Sequence, residues 1–424
     1  MIPIVALFFE FSILALLKTS GIDTVSNAVA AVLIIVHSFV LFWYFSHNKR
    51  LRKFSRSLVM AHLLRLSILF IDLFAYPAIS LPNGHGDEEL FYANSVAYAL
   101  TGYTRRGLYP QVVGTMMRAI GFNRLYIQYI SMLCAIVALI YFAYTLSHTD
   151  TDEKIQKKTF QIVCILPNYA ILSSLLMREA VIYMFLSISI FFFVRWAKEK
   201  KEIFFFEAAA FVMPAAAFHS GTIAVLVGYL LIRLFYDNKK ERVNIRFSNV
   251  VLSLLLAFVA VYIVNRTGDI FLNKFGNIDS LEDVANVRDT AGSSYVRYVG
   301  NSNNPLSFIL FTPLRLFFFL FAPLPWMWRG IGDFIAFSFS SMYYLVSIWN
   351  IFKYLRTHEE KNRILIIALF IIAFAAVFVF AWGTSNAGTA SRHRDKLLLM
   401  FALLLALSRD GIQTLYVRNR KRRT

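Results

Sequence analysis

Arginine and histidine side chains interrupt an otherwise apolar region near the C-terminal end of the chain. The stretch GTSNAGTASRHRDK (383–396) places Arg392, His393 and Arg394 between two apolar runs. Arginine presents a planar fork of donors that fits phosphate or carboxylate oxygens, and histidine titrates near neutral pH. A short connection hardly needs so many charges for solubility, so we predict that this stretch contacts an anionic ligand.

An acidic group, NGHGDEELFYANS (83–95), follows the third apolar run. Either Asp87 or Glu88 could accept the proton of a hydroxyl group, with His85 close enough to change that carboxylate's proton affinity. The same acidic residues would also suit the positive N-terminal end of a helix that starts near Asp87. Residue type leaves both roles open and does not rank Asp87 against Glu88.

A third group pairs Arg178 and Glu179, in LLMREAVIY, with His219, in AAAFHSGT. An arginine at the start of a membrane helix is costly unless it reaches the interface, a polar cavity or a partner. Glu179 does not neutralise it well, because adjacent helical residues point apart. We predict that Arg178 contacts the anionic ligand and that His219 is a further candidate for the base.

The spacing of these residues favours chemistry without a metal. The sequence has no His-x-x-x-His or cysteine cluster, no Gly-rich phosphate loop and no serine-nucleophile motif. We therefore expect no metal and no cofactor, and carboxylates, arginines and histidines have to carry the reaction.

The elements that position these groups are predicted to be membrane helices. Of the 424 residues, 58% are apolar and only 16% are charged, against roughly 25% charged in soluble domains. Apolar runs of a length that spans the bilayer as helix recur along the chain, and backbone in lipid has to satisfy its own hydrogen bonds. The fold class is therefore an all-α polytopic membrane protein, with residues 1–424 forming a single integral membrane domain.

The basic residues predict which ends of the helices face the cytoplasm. The net charge of +18 could suggest nucleic acid, but most of the 43 lysines and arginines lie in short connections between apolar runs. The positive-inside rule places those connections in the cytoplasm and leaves no nucleic-acid surface. They are residues 47–56, 152–158, 195–201, 233–246, 353–363 and the tail from Arg409.

Placing all the basic connections on one side requires that the proline-rich stretch 304–330 does not cross the membrane. It is then a broken re-entrant or interfacial segment. About 12 transmembrane helices remain, both termini are cytoplasmic, and the external connections are 80–125, 265–305 and 383–396. Arg297, in one of these connections, is a further candidate for substrate contact. Within the third run, Arg65 and Asp72 share a helix face, which favours an internal polar contact.

Several of these short motifs resemble the Wzy-type and EpsG-type bacterial polysaccharide polymerases of O-antigen or capsule synthesis. The resemblance rests on REA (178–180) followed some forty residues later by FHSGT (218–222), on the acidic external loop, and on APLPW (322–326). The N-x-G-T-x-x-R-x-R pattern from Asn386 to Arg394 belongs to the same resemblance, and it covers the layout from about residue 80 to 408.

The resemblance implies a GT-C-like membrane fold at the bacterial cytoplasmic (inner) membrane, among membrane lipids. It implies polymerisation of glycan repeat units linked to polyprenyl (undecaprenyl) diphosphate, which serve as donor and acceptor, and a chain-length regulator protein as a partner. Carried over by residue, it points to Arg178, His219, Arg392 and Arg394, with Asn386 starting the late motif. External arginines could hold the departing diphosphate, while Asp87, Glu88 or His219 accepts the hydroxyl proton. Other GT-C-type glycosyltransferases, glycan ligases and polysaccharide flippases or transporters remain alternatives.

Overall fold

The structure is a computed structural model. It describes residues 2–82, 84, 86–104, 107–237, 242–243, 248–249, 305–357, 359–384 and 386–421. His85, Arg297 and residues 250–304, which include nearly all of the connection 265–305, lie outside the described residues, so the predictions made for them stay predictions.

The chain divides into two compact units, and the first comprises Met1–Ser147 and Phe160–Ser187. Its helices are α1 (Ile2–Thr19), α2 (Asn27–His47), α3 (Ser55–Phe74), α4 (Asp87–Thr101), α5 (Leu108–Ile120), α6 (Arg124–His148), the end of α7 (Glu153–Ile165), α8 (Pro167–Leu172) and the start of α9 (Glu179–Glu199). Helix α4 begins at Asp87, which confirms the predicted helix start.

The core of the first unit contains a buried arginine. Ile68 on α3 packs with Ala170, Leu172 and their neighbours. Beside them Arg65, fully buried, donates Nε–H to Ser173 Oγ at 2.9 Å and Nη1–H to the Cys164 carbonyl at 3.1 Å. These hydrogen bonds go to a hydroxyl and to a carbonyl, which offset part of the cost of burying the charge.

The second unit comprises His148–Thr159 and Ile188–Thr424. Its helices after α9 are α10 (Glu202–Phe218), α11 (Ile223–Phe235), α12 (Pro305–Phe321), α13 (Ile331–Ile335), α14 (Met342–Leu355), α15 (Arg363–Trp382), α16 (Ala387–Asp395) and α17 (Leu398–Lys421). A two-residue antiparallel pair, β1 (Tyr236–Asp237) with β2 (Arg242–Val243), follows α11.

Close helix approach and a π-helical turn shape the second unit. Helices α11 and α15 meet at Gly228, where an added Cβ would lie 2.8 Å from the Ile372 Cα. A π-helical turn, Ala336–Ser341, joins α13 to α14, and such turns re-aim side chains within a helix. This turn supplies polar contacts to α16, described below.

The prediction of a helical membrane protein is confirmed. Among the described residues, eight helices are long and apolar enough to cross a bilayer, and two shorter apolar helices cover Ser220–Phe235 and Ile309–Phe321. The count of about twelve crossings stays a prediction. The predicted connection 80–125 contains α4 and α5, and the stretch 383–396 forms α16, so both are folded rather than extended loops.

Candidate active site

His219 lies where an apolar helix ends and the chain turns. It is the residue after α10, and the short 3-10 helix Ser220–Thr222 follows it before α11 begins. Its backbone is extended, and the Thr222 hydroxyl donates to the His219 carbonyl at 2.8 Å. The imidazole is half-buried and therefore sits at the end of the apolar bundle rather than inside it.

A chain of side-chain hydrogen bonds connects His219 to the late motif. The Thr384 hydroxyl donates to the Phe380 carbonyl at 2.6 Å and lies 3.1 Å from Nδ1 of His393. Nε2 of His393 lies 3.0 Å from Nε2 of His219. For two neutral rings, His393 then donates from Nδ1 to Thr384 and accepts at Nε2 from His219.

This tautomer leaves the lone pair of His219 on Nδ1, which is the nitrogen that could accept a proton. The resulting imidazolium would keep its Nε2–H bond to His393. Nδ1 is shielded from solvent. An incoming hydroxyl group therefore has to displace the side chains that cover this nitrogen.

Phe380 holds both imidazoles in position. Its ring centroid lies 5.5 Å from that of His219 and 5.3 Å from that of His393. Gly221 passes over the same ring: an added Cβ would lie 2.6 Å from Phe380 Cε1. Glycine in FHSGT is therefore required by close approach, because any larger residue would push Phe380 against the imidazoles.

The late motif forms α16, and Asn386 is its N-cap. The Asn386 side chain accepts the backbone N–H of Thr389 at 2.8 Å, which satisfies one of the helix's first donors. The helix turns His393, Arg394 and Asp395 inward, where each is buried. Asn386 thus helps to position the motif, and its predicted contact to substrate stays a prediction.

Arg394 is fully buried and binds backbone carbonyls at a helix end. Its Nη1 donates to the carbonyls of Leu320, in the last turn of α12, at 3.1 Å, and of Ala322, just beyond it, at 2.5 Å. Its Nε donates to Ser340 Oγ at 3.3 Å, within the π-helical turn. These carbonyls lack helical partners, and a cation suits the negative end of α12. The guanidinium therefore ties α12 and the π-helical turn to α16.

The remaining charges around α16 are mainly positive. Arg392 is half-buried, and Lys396 is 3% exposed with Nζ 5.8 Å from the Phe380 ring centroid. The acidic side chain of the motif, Asp395, accepts the Ser340 hydroxyl at 2.8 Å. Three cations and one carboxylate thus occur between residues 392 and 396, with Arg394 and Asp395 also anchored by neutral groups.

The acidic residues of the first unit form a second polar group, which we call the carboxylate cluster: Asp72, Glu88, Glu89, Arg124 and Gln128. Arg124 binds both oxygens of Glu89 at 2.7 Å each, in a bidentate pair. The carboxylates of Asp72 and Glu88 also attract the positive charge of the Arg124 guanidinium. The Gln128 amide donates a hydrogen bond to Asp72 at 2.9 Å. Glu88 is fully buried, whereas Asp87 is half-buried.

Two tyrosines of the first unit contribute neutral hydroxyl groups, and one of them, Tyr92, contacts the carboxylate cluster. Arg124 lies over the Tyr92 ring with its Cζ 4.8 Å from the centroid. Burial raises the pKa of Tyr92 and the Glu89 carboxylate raises it further, while Arg124 acts in the opposite direction. Burial likewise raises the pKa of Tyr109, whose hydroxyl lies 2.9 Å from Ser131 Oγ. Both tyrosines are therefore neutral at physiological pH and act as hydrogen-bonding groups.

Arg178 also belongs to the first unit. It is half-buried, and its guanidinium Cζ lies 5.9 Å from the centroid of Phe91 on α4. Glu179, the first residue of α9, is 3% exposed. The predicted role of Arg178 as an anion contact stays a prediction.

The structure thus brings His219 into contact with His393 and places Arg392 and Arg394 on the same short helix. Sequence reasoning missed Thr384 and Phe380, which orient the histidines, and Ser340, which anchors Asp395. Thr384 lies inside the quoted stretch 383–396, so its position was a usable signal. Phe380 is aromatic and Ser340 is a small polar residue, and both lie in apolar runs. The neighbouring sequence therefore does not indicate their role.

Among the described residues, no group of three or more histidine, cysteine, aspartate or glutamate side chains is arranged to hold a metal ion. No protein-family model, no curated protein and no solved structure matches this chain.

Proposed function

We propose that this protein polymerises polyprenyl-diphosphate-linked oligosaccharide repeat units at the outer face of the bacterial cytoplasmic membrane. The observation that supports this most is the His219–His393–Thr384 chain, which joins a candidate proton acceptor, His219, to the short helix that carries Arg392 and Arg394 and has Lys396 as its C-cap. Glycosyl transfer from a lipid diphosphate needs both a base for the acceptor hydroxyl and positive charge for the leaving group.

In the proposed reaction the acceptor hydroxyl oxygen forms a bond to the anomeric carbon of the donor. The bond from that carbon to the diphosphate oxygen breaks, and the diphosphate leaves with the electron pair. The hydroxyl proton passes to Nδ1 of His219, whose other nitrogen stays bonded to His393. Arg392 stabilises the charge that develops on the diphosphate, and Arg394 acts as a positioning residue.

Other residues keep their place as alternatives within this function. Asp87 and Glu88 are the competing candidates for the base, and Glu88 is as buried as a base in a closed site would be. Arg178 and Arg297 are further candidates for diphosphate contact. Lysine substitution tests each arginine, because lysine keeps the charge but loses the forked donor geometry.

The decisive experiment supplies purified protein in liposomes with lipid-linked repeat units and separates the products on a gel. A polymerase produces a ladder whose steps equal one repeat unit. A single added band would instead indicate a ligase or another glycosyltransferase. Unchanged glycan would contradict the proposal. His47→Ala is the matched control for His219→Ala, because His47 also ends an apolar helix and its ring hydrogen bond goes only to a local carbonyl.

Transport is the second candidate, and a buried chain within the apolar helices of the first unit favours it. Glu10 accepts from the Tyr126 hydroxyl at 2.6 Å and lies 3.0 Å from His37 Nδ1. Ionisable residues inside membrane segments often mark substrate or proton pathways. The same liposomes distinguish the two functions, because a transporter would move the unchanged glycan lipid across the bilayer without lengthening it.

A further inference from the structure

A cavity in the second unit is lined partly by charged residues, although the helices around it are mainly apolar. It has a volume of about 240 Å³ and is lined by the ends of α9 and α11 and by the start of α15. Helices α9 and α15 are long and apolar enough to cross a membrane. The cavity therefore lies where helices long and apolar enough to cross a membrane end in basic connections, which the positive-inside rule predicts to be at the boundary between lipid and water.

The charged lining of this basic cavity is mainly cationic. Lys198, Lys200 and Arg363 line it, and Glu360 is the acidic residue among its described lining. Lys198 Nζ lies 2.6 Å from Asp150 Oδ2, but that carboxylate side chain is 76% exposed, and exposed ion pairs contribute little. Arg363 Nη1 donates to the Thr357 carbonyl at 2.8 Å, which holds its guanidinium at the cavity wall.

Uncharged hydrogen-bond donors at the start of α15 add to the positive potential of the basic cavity. Helix α15 begins at Arg363, and its N-cap Asn362 makes no side-chain capping bond to the first turn. The positive end of a 20-residue helix dipole is thus directed at this end of the cavity. Asn362 Oδ1 accepts from Lys198 at 3.0 Å. Its Nδ2 is buried with no hydrogen-bond partner among the described residues.

The remaining wall of the cavity is apolar. Phe193, Ile232 and Leu365 face it from three helices, together with Trp196 and Tyr236, residue types that favour the membrane interface. A free anion would use the cations and leave this wall exposed. A ligand with a phosphate group and a hydrocarbon chain would satisfy both parts of the lining.

We propose that the basic cavity binds the phosphate headgroup of an anionic membrane lipid, with the start of its acyl chains against Phe193, Ile232 and Leu365. Basic pockets between membrane helices attract anionic headgroups through this combination of charge and apolar contact. The positive-inside prediction places the cavity in the cytoplasmic leaflet. The proposal does not depend on the polymerase function, since it concerns separate residues and is measured by binding.

The test uses the full-length protein in uncharged detergent and measures its melting temperature against added phosphatidylglycerol, phosphatidylcholine or inorganic phosphate. Phosphatidylglycerol should raise the melting temperature of the wild type in a saturable way, and phosphatidylcholine should not. The double variant Lys198→Gln/Lys200→Gln should weaken the apparent phosphatidylglycerol affinity about 10-fold. Lys157→Gln/Lys158→Gln, on the surface of α7 and outside the cavity, removes the same charge and should leave the affinity unchanged.

A gain-of-binding variant keeps the test decisive if the double variant folds poorly. Glu360→Gln removes the cavity's carboxylate and should tighten phosphatidylglycerol binding about 3-fold. Equal responses to both lipids, or an unchanged affinity in both cavity variants, would overturn the headgroup site. A response to inorganic phosphate that matches the lipid response would show that the ligand is free phosphate and would overturn the lipid assignment.

Discussion

The two polar groups of this protein hold their arginines in different ways. In the carboxylate cluster, Arg124 is matched by the two oxygens of Glu89, with further carboxylates nearby. In the second unit, Arg394 is held by backbone carbonyls and a serine hydroxyl. Carbonyl dipoles stabilise a cation without cancelling its net charge, whereas carboxylates cancel it.

The difference predicts which region suits an anionic substrate. Arg124 with Asp72, Glu88 and Glu89 is acidic as a group and should repel a diphosphate. The segment 392–396 carries three cations and Asp395, and it adjoins the His219–His393 pair. Arginines that look equivalent in the sequence thus differ in the charge that their surroundings leave available.

The identity of the base is the strongest test of this comparison between the two regions. His219→Ala should lower the rate of polymer extension by roughly 100- to 10,000-fold, since it removes the proton acceptor. Glu88→Gln should have a much smaller effect. Gel analysis of the lipid-linked product measures both, with protein abundance in the membrane as the control. A loss confined to Glu88→Gln would transfer the base to the carboxylate cluster.

Substitutions of the two arginines of α16 should have different effects, one on stability and the other on activity. Arg394→Lys should lower the free energy of unfolding by about 3 kcal/mol, because lysine cannot satisfy the carbonyls at the end of α12 and the Ser340 hydroxyl together. Arg392→Lys should leave thermal stability unchanged and reduce polymer yield. Thermal unfolding followed by the gel assay distinguishes them. If Arg392→Lys gave full yield and full polymer length, its assignment to the diphosphate would be wrong.

Gly221→Ala should disturb the contact between His219 and His393, because Gly221 packs against Phe380 and Phe380 contacts both imidazoles. The added methyl group would lie 2.6 Å from Phe380 Cε1, and overpacking of this kind costs about 2 kcal/mol. We expect reduced activity together with a lower melting temperature. Phe380→Leu in the same chain should restore part of the stability by making room. No recovery in the double variant would show that the methyl group acts through a different contact.

The smallest effect should come from the N-cap of α16. Asn386→Ala should cost about 1 kcal/mol of stability, whereas Asn386→Asp should retain the cap. Differential scanning fluorimetry compares the two variants. If both lost polymer synthesis equally while Asn386→Asp kept its melting temperature, Asn386 would contact the substrate as well as cap the helix.

Part of this site was predictable from local residues alone. The helix start at Asp87 follows from acidic residues that precede an apolar repeat, and the apolar run that precedes the stretch 383–396 corresponds to α15. The resemblance of FHSGT and the late motif to the polymerases pointed to His219, Arg392 and Arg394, while His393 was a candidate through its place in the same stretch. Their contact was not predictable, because residues 174 positions apart are related only through packing.

Arg65 and Asp72 show what the spacing of residues along one helix does not predict. Their spacing favoured a contact on one helix face, yet Arg65 binds Ser173 and backbone carbonyls, while Asp72 binds Gln128. Each side chain found a partner on another helix. Spacing describes which groups can meet along one helix, and it contains nothing about which neighbouring helix supplies a better donor or acceptor.

The amino-acid sequence by itself determined that this is a helical membrane protein with polar residues gathered near helix ends. Apolar length and the cost of unsatisfied backbone in lipid leave no other class of fold. Tertiary structure alone decided that Arg394 braces a helix end and that His219 meets His393. Those outcomes depend on where unpaired carbonyls and ring nitrogens come together after packing, which no stretch of sequence specifies on its own.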